Sequence, residues 1–374
     1  MPVYNNREPM TEKEKQVFER IKDDPYVSQL DLAEAVGLSR PAVANIISGL
    51  VRKNYILGKA YVINETRPIV CIGAANVDRK FYIKETLQWE TSNPVTSKES
   101  AGGVARNLAE NLGRLEKETI LLTTAGMDAD WITVKEASEG YINLDHAAVF
   151  YEKSTGSYTA VLDEQGSMTL AFADMEIYES ITPEYIESHE RVFQQAGGIA
   201  ADLNCPAETL ERIRQKAVEY QVPLMLTAVS APKMQRLPEK LDGITWLVTN
   251  KDESEAALGM TIESGEDWQN AVCAWLEKGV EHVVVTGGSL GAVIGSADSG
   301  VFHLPAEPVE MIADVTGAGD AFCAALFYAW LEGWDVKAAG QAGMMHAAAV
   351  LTSETSGKET MTAEWLNKRM EERT

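Results

Sequence analysis

"ADVTGAGDAFCAAL", residues 313–326, sets three small residues, Gly317, Ala318 and Gly319, directly before one aspartate, Asp320. Beyond it, Ala321, Phe322, Ala324, Ala325, Leu326 and Ala329 make an apolar helix, which puts Asp320 in the polar first turn. Backbone N–H groups at a helix start lack intrahelical partners, and the helix dipole adds positive potential there. Glycines let an anion come close to those groups. The stretch reads as a loop that holds a phosphate with a carboxylate beside it. A flexible turn before a helix is the plainer alternative, and the buried character of that helix counts against it.

Upstream, strand and helix patterns alternate. Apolar runs occur at 69–74, 119–124, 198–203, 223–229, 244–249 and 282–286. Helical patterns at 103–114, 129–139, 206–220, 251–258 and 265–278 separate most of them. Continuous apolar strands followed by helices predict a mostly parallel sheet covered on both faces. Ligands in such folds gather at the carboxyl ends of the strands. Residues 80–98 and 147–173 break the rhythm with alternating extended pieces, which predict a small antiparallel flap.

Polar residues at the strand ends are therefore the candidates. "GAANVDRKF" places Asn76 and Asp78 two apart, on one face of an extended chain. "ESAGGVARNLAENLGRL" is a Gly102–Gly103 turn opening a helix, with Asn107 one turn in. "LVTNKDESEAALG" gives Asn250 and Glu253 at a strand-to-helix join, where Asn250 could equally be a helix cap. "VVVTGGSLGAVIG" ends a buried strand in Thr286 and the glycines of 287–291. Each is a weak signal alone. Their succession at consecutive strand ends is the stronger one.

The first 66 residues differ from the rest. They carry nine basic and nine acidic side chains, so the whole net charge of −23 belongs to residues 67–374. Two domains are expected, at 1–66 and 67–374. In the first, Val17, Phe18 and Ile21 face one way, and Leu30, Leu32, Ala33 and Val36 stripe a second short helix ending at Gly37. Ser39 caps a third helix that buries Val43, Ile46, Ile47 and Leu50, and "YILGKAYVI" alternates like a β wing. The pattern resembles a winged helix-turn-helix module. That resemblance implies DNA contact through residues 39–59, where Ser39, Arg40, Asn45 and Ser48 are exposed and Arg52, Lys53 and Lys59 can meet phosphates. A packing or dimerisation module is the other reading. Four basic residues neutralise few phosphates, so DNA binding would call for a dimer.

Composition fits this picture: 45% of residues are hydrophobic and 24% charged. The strongly acidic second domain is unsuited to binding nucleic acid. No apolar run approaches the roughly 18 residues that span a bilayer, and "MPVYNNREPMTEKEK" lacks an apolar signal core. A cytoplasmic protein is expected. Cys71, Cys205, Cys273 and Cys323 stand singly in apolar settings that suit buried free thiols.

Residues 68–373 resemble the ribokinase-like (phosphofructokinase-B type) carbohydrate and nucleoside kinases, through the two signatures "AGGVARNLAENLGRL" and "DVTGAGDAFCAAL". Within that family the chain is most similar to the pseudouridine kinases, through "GAANVD", "SNP", "TGSYTAVLDEQGSM", "ADMEIYESIT" and "VSAPK". The resemblance implies that Asp320 takes the proton from the sugar 5'-hydroxyl and that the N–H groups at Gly317, Ala318 and Gly319 form the anion hole. It implies ribose binding by Asn76, Asp78, Gly102, Gly103 and Asn107, with Asn204 as a further contact. It assigns Asn250 and Glu253 to an N-x-x-E pair around Mg²⁺ and the ATP phosphates. Thr286, Gly288 and Gly291 fall in the nucleotide loop, His346 in the adenine pocket, and Asp314 and Thr316 in the loop that binds K⁺ in some members. Arg106 agrees with the pseudouridine-kinase pattern and would contact the base or the product phosphate, or else form a surface salt bridge. Asp174, with Ser157 and Tyr158 in the flap, is expected to meet the base. A homodimer formed through the flap is also implied. Thr227 and Ala228 depart from the acidic residue and proline of many relatives. A kinase for another nucleoside or a free sugar is one alternative, and a sugar-sensing transcriptional regulator is another. An intact Asp320, glycine loop and N-x-x-E argue against the latter.

Overall fold

The computed structural model describes residues 8–58, 67–309, 312, 315–352 and 361–372. Three helices come first: α1 (Glu12–Asp23), α2 (Gln29–Val36) and α3 (Arg40–Arg52). Thr11 and Glu14 form a reciprocal capping box at α1, Ser39 caps α3, and Gly37 ends α2 at φ 65°. Val17, Ile21, Leu32, Val43 and Leu50 close a small core of their own, completed by Tyr55 and Ile56. Residues 59–66, with Lys59 and most of the expected wing, lie outside the described residues. Lys53 corrects its expectation. It is paired to Glu14 at 3.0 Å and keeps only 7% of its side chain exposed, so it braces α1 against α3 rather than meeting phosphates.

The second part begins with β1 (Ile69–Ile72), β2 (Asn76–Ile83), β3 (Val95–Gly102), α4 (Val104–Arg114), β4 (Thr119–Leu122), β5 (Thr124–Gly126) and α5 (Ala129–Ser138). It continues through β6 (Ala148–Phe150), β7 (Ser157–Leu162), β8 (Met168–Asp174), α6 (Pro183–Ser188), α7 (Glu190–Gln195), β9 (Gly198–Asp202), α8 (Ala207–Tyr220) and β10 (Leu224–Thr227). The remainder is β11 (Trp246–Asn250), α9 (Lys251–Leu258), α10 (Gly265–Glu277), β12 (His282–Thr286), β13 (Ala292–Ser296), β14 (Gly300–Leu304), α11 (Ala318–Leu331), α12 (Val336–Leu351) and α13 (Ala363–Glu371).

Eight strands form the central sheet in the order β14-β13-β12-β11-β10-β9-β1-β4. All six apolar runs are its parallel strands, and β13 and β14 add an antiparallel edge. The reason the runs are continuous is visible in β1. Ile69 and Cys71 enter the core beneath α4 and α11, while Val70 and Ile72 enter the opposite core. This is the ribokinase-like α/β fold expected from the sequence. The flap has four strands in the order β3-β2-β7-β8. It is mixed rather than antiparallel, because β2 and β7 pair in parallel. They are joined by the long crossover through α4, β4 and α5, which brings β7 back in the same direction. Cys71, Cys205 and Cys323 are buried, but Cys273 is exposed on α10, contrary to expectation. Its neighbours Ala271, Val272 and Trp275 form the inward stripe and leave position 273 outside.

Candidate active site

Asn76 and Asp78 open β2, and Asn76 Nδ2 donates to Asp78 Oδ1 at 2.6 Å. Antiparallel register sets Asn76 opposite Gly102 and Asp78 opposite Ser100. A Cβ at Gly102 would stand 2.2 Å from Asp78 Oδ2, and one at Gly103 would stand 2.4 Å from the Ala74 carbonyl. The Gly-Gly pair is thus required by the close approach of β3 to β1 and β2. With φ 98°, Gly103 also turns the chain into α4 without a side-chain cap.

That turn is held by two residues the sequence reading passed over. Asp202, at the end of β9, is buried and accepts the N–H groups of Ala74 and Ala105 at 2.9 Å each and of Asn204 at 2.7 Å. Gly73 leaves room for it, since a Cβ there would lie 2.4 Å from the carboxylate. Tyr178, fully buried, accepts the Ala75 N–H at 3.1 Å. The signal for Asp202 was one charged residue closing the otherwise apolar "GIAAD".

Gly317, at φ 78°, begins α11 with no side-chain cap. A Cβ on Gly319 would meet nothing within 4 Å. The uncapped first turn and the clear space above it suit an incoming phosphate. Asp320 is in that turn, and Asn107 Nδ2 donates to its Oδ2 at 2.8 Å. Burial pushes the Asp320 carboxyl up to about 7, against the pull of the Asn107 hydrogen bond and with the help of the nearby Asp202 and Asp78 charges.

At the carboxyl ends of two neighbouring parallel strands, Asn250 and Thr286 are register partners on β11 and β12. Asn250 caps α9, and Glu253 returns the bond: Glu253 N–H donates to Asn250 Oδ1 at 2.8 Å, and Asn250 N–H to Glu253 Oε2 at 2.7 Å. The cap alternative is therefore real. Glu253 is buried, and burial raises its pKa. The buried Cys323 thiol of α11 is pushed well up by its burial, with the charges of Asp320 and Glu253 adding to this. Gly288 and Gly291 hold positive φ in the following turn, and a Cβ at Gly291 would lie 2.0 Å from the Leu304 carbonyl.

Two expectations are corrected. Arg106 is 2% exposed and gives its guanidinium to Glu110, Ser138, Asn107 and the Ala137 carbonyl, so its ion pair is a buried one and not a surface salt bridge. From α4 its guanidinium reaches both the end of α5 and the Asn107 side chain. His346 is fully buried, with Nε2 3.1 Å from Asn111 Oδ1. Asn111 donates its own Nδ2 to the Asn107 carbonyl at 2.8 Å, so Nε2 is the protonated nitrogen. His346 is a core residue between α12 and α4 rather than a lining of the adenine pocket. Burial holds its pKa down at about 4.

Asn204 is buried, with its side-chain oxygen taken by Lys233. Asp174 is exposed at the end of β8, opposite Ser157 on β7, and Tyr158 pairs with Asp78 across β7 and β2. The flap thus brings all three expected base contacts beside Asn76 and Asp78, the residues expected to hold the ribose. Lys80, two positions beyond Asp78 on the same strand face, donates to Thr316 Oγ1 at 2.8 Å and ties the flap to the anion loop. Asp314 lies outside the described residues. Among those described, no group of three or more His, Cys, Asp or Glu residues converges to hold a metal, and no helix is long and apolar enough to cross a membrane.

The model of the pfkB family of carbohydrate kinases matches residues 66–363, and a winged helix-turn-helix DNA-binding model matches residues 10–56. YeiI of Escherichia coli (strain K12), an uncharacterized sugar kinase, is 29% identical over 356 residues, which are 95% of this chain and 98% of that protein. The pseudouridine kinase of the same strain is 34% identical over 267 residues, 71% of this chain and 84% of that protein. A solved ribokinase of Arabidopsis thaliana, complexed with ribose and ATP, shares the fold with a TM-score of 0.72 at 21% identity, covering 82% of this chain and 99% of that one.

Proposed function

Because the chain belongs to the pfkB family of carbohydrate kinases and carries an N-terminal winged helix-turn-helix domain, we propose that it transfers the γ-phosphoryl group of ATP to the 5'-hydroxyl of pseudouridine. The observation that carries this is the Asn107–Asp320 contact at the uncapped start of α11. On this reading the contact joins a base, a ribose-binding amide and an anion-binding helix end at one point. The 34% identity to a pseudouridine kinase supports the choice of nucleoside.

Asn76, Asp78 and Asn107 hold the ribose hydroxyls, each of which both donates and accepts. Asp320 takes the 5'-hydroxyl proton as the new O–P bond forms. The bond to the β–γ bridging oxygen breaks, and ADP leaves. Phosphoryl transfer is mostly positioning and charge stabilisation, and the first-turn N–H groups of α11 supply donors where charge develops. A base with a pKa of about 7 is well matched to neutral pH.

The nucleotide lies toward Asn250, Thr286, Gly288 and Gly291. Glu253 offers one buried carboxylate there, which fits a Mg²⁺ held by phosphates and water rather than by a protein cage. Bound so, magnesium screens the phosphate charge.

Two partners follow. Met168, Leu170 and Phe172 leave an exposed apolar stripe on the edge strand β8, which supports a homodimer formed through the flap. Arg40, Asn45, Ser48 and Arg52 are exposed on α3, which supports DNA contact by paired winged domains. The experiment is ATP consumption against pseudouridine, uridine, cytidine and ribose. Turnover of pseudouridine is expected, and no turnover of any of them would overturn the kinase proposal.

A further inference from the structure

We propose that Arg106 is a positioning residue for the reaction: it fixes the side-chain amide of Asn107 so that the amide can only donate to Asp320. This rests on Asp320 acting as the base. An asparagine amide has a donor end and an acceptor end, and its neighbours decide which way it faces. A guanidinium has donors only. Arg106 Nη1 lies 3.2 Å from Asn107 Oδ1, and Asp320 Oδ2 lies 2.8 Å from Asn107 Nδ2. The reversed amide would set N–H against N–H on one side and oxygen against carboxylate on the other. With Arg106 in place, one orientation survives.

Arg106 is itself locked. Its Nε donates to Ser138 Oγ at 3.3 Å and its Nη2 to the Ala137 carbonyl at 2.8 Å, both at the end of α5. Ser138 Oγ spends its own proton on the Val134 carbonyl at 2.7 Å, so it is free to accept. Glu110 pairs with Arg106 at 2.6 Å and with Arg114 at 2.8 Å, one turn further along α4. Asn111 holds the Asn107 carbonyl from below. A buried arginine with this many partners and 2% exposure is costly to maintain, and among the described residues the amide it faces is the one bonded to Asp320.

The consequence is chemical. Asp320 is approached by Asn107 from α4, by the carboxylates of Asp78 from β2 and Asp202 from β9, and by its own helix neighbour Cys323. The two carboxylates and burial favour the protonated form, which cannot serve as a base. The Asn107 hydrogen bond opposes them. If Arg106 is lost, the amide can turn its oxygen to Asp320 and stabilise the protonated carboxyl instead.

The test is the pH dependence of kcat/KM for Arg106→Met, beside Asn107→Leu and the double variant. Arg106→Met should move the acid limb up by about one pH unit. The rate should then fall about tenfold at pH 6 and recover to near wild type at pH 9. A merely structural role would lower the rate equally at all pH. In the Asn107→Leu background, Arg106→Met should move the limb no further. If Arg106→Met does not fold, Arg106→Met/Glu110→Gln serves the same comparison with Arg114 left to a neutral partner. A folded variant with an unmoved limb, or an equal shift without Asn107, would overturn the proposal. Full activity of Asp320→Asn would instead remove the base assignment itself, which separates the two failures.

Discussion

Asp202 Oδ2 accepts the backbone N–H of Ala105, in the first turn of α4, at 2.9 Å, and the same oxygen takes the Ala74 N–H beyond β1. One buried carboxylate therefore fixes the distance between the strand that leads to Asn76 and Asp78 and the helix that carries Asn107. Asp202→Ala would leave three buried N–H groups unpaired, each costing about 1–3 kcal/mol. We expect a loss of about 3 kcal/mol or more in urea unfolding. The surviving folded protein should show a raised KM for the nucleoside. A variant as stable as wild type would show that the clamp does not hold the turn.

Asp320→Asn keeps the shape of the side chain and the bond from Asn107 but removes the proton acceptor. Turnover should fall at least about a thousandfold, near the upper range attributed to general-base catalysis. Calorimetric binding of nucleoside and nucleotide should change little. A tenth of the wild-type rate would be enough to reject Asp320 as the base.

The same carboxyl sets activity against stability. Its folded pKa, about 7, lies above the ordinary value of 3.8. Its contribution to folding is then full below the unfolded pKa and is lost as pH rises from about 4 through about 7. As the proposed base, the carboxylate forms over that same interval. Asp320→Asn should therefore raise stability at pH 8 by about 1–3 kcal/mol, the partly open side chain keeping this below the full linkage value, and by almost nothing at pH 4. Thermal unfolding of both proteins across that range measures it. Equal stability at pH 8 would mean that the ionised carboxylate is at no cost in the fold.

The parallel sheet was legible because each core strand is buried on both faces and shows an unbroken apolar run, as in Val283–Val285. The site was legible where glycine is forced by contact, as at Gly102 against Asp78. It was illegible where a polar residue works at long range. Asp202 is 97 residues from Ala105, and nothing local to either announces the bond. His346 and Arg106 misled for a related reason. Their match to family positions suggested a ligand, but their partners are buried side chains on α4. β13 and β14 were overlooked since a short antiparallel pair with Gly295 and Gly300 reads as a loop.

Deleting residues 1–66 should leave a folded kinase. The core of α1–α3 is built from its own residues, Val17 to Ile56, and shares none with the sheet. The truncated protein should keep kcat/KM within about threefold and lose any DNA affinity seen with the full chain, since the phosphate contacts go with it. Aggregation or loss of turnover would show that the two parts depend on each other.

Substrate choice puts the flap to the test. Pseudouridine has a C-glycosidic bond, which turns an extra ring N–H outward compared with uridine. A site built to pair that donor rejects the base that lacks it, because its own acceptor is then left unpaired. Asp174 is the acceptor we propose, and register sets it opposite Ser157, next to the Tyr158 that pairs with Asp78. The proposed acceptor is therefore carried on the same sheet as Asp78, the proposed ribose ligand. We expect kcat/KM for pseudouridine at least about tenfold above uridine, a discrimination of about 1.4 kcal/mol. Asp174→Ala should narrow that ratio chiefly by slowing pseudouridine, with uridine little changed. An unchanged ratio in that variant would move base recognition elsewhere in the flap. Equal efficiency for uridine, cytidine and ribose in the wild type would reject pseudouridine as the preferred acceptor while leaving the chemistry at Asp320 intact.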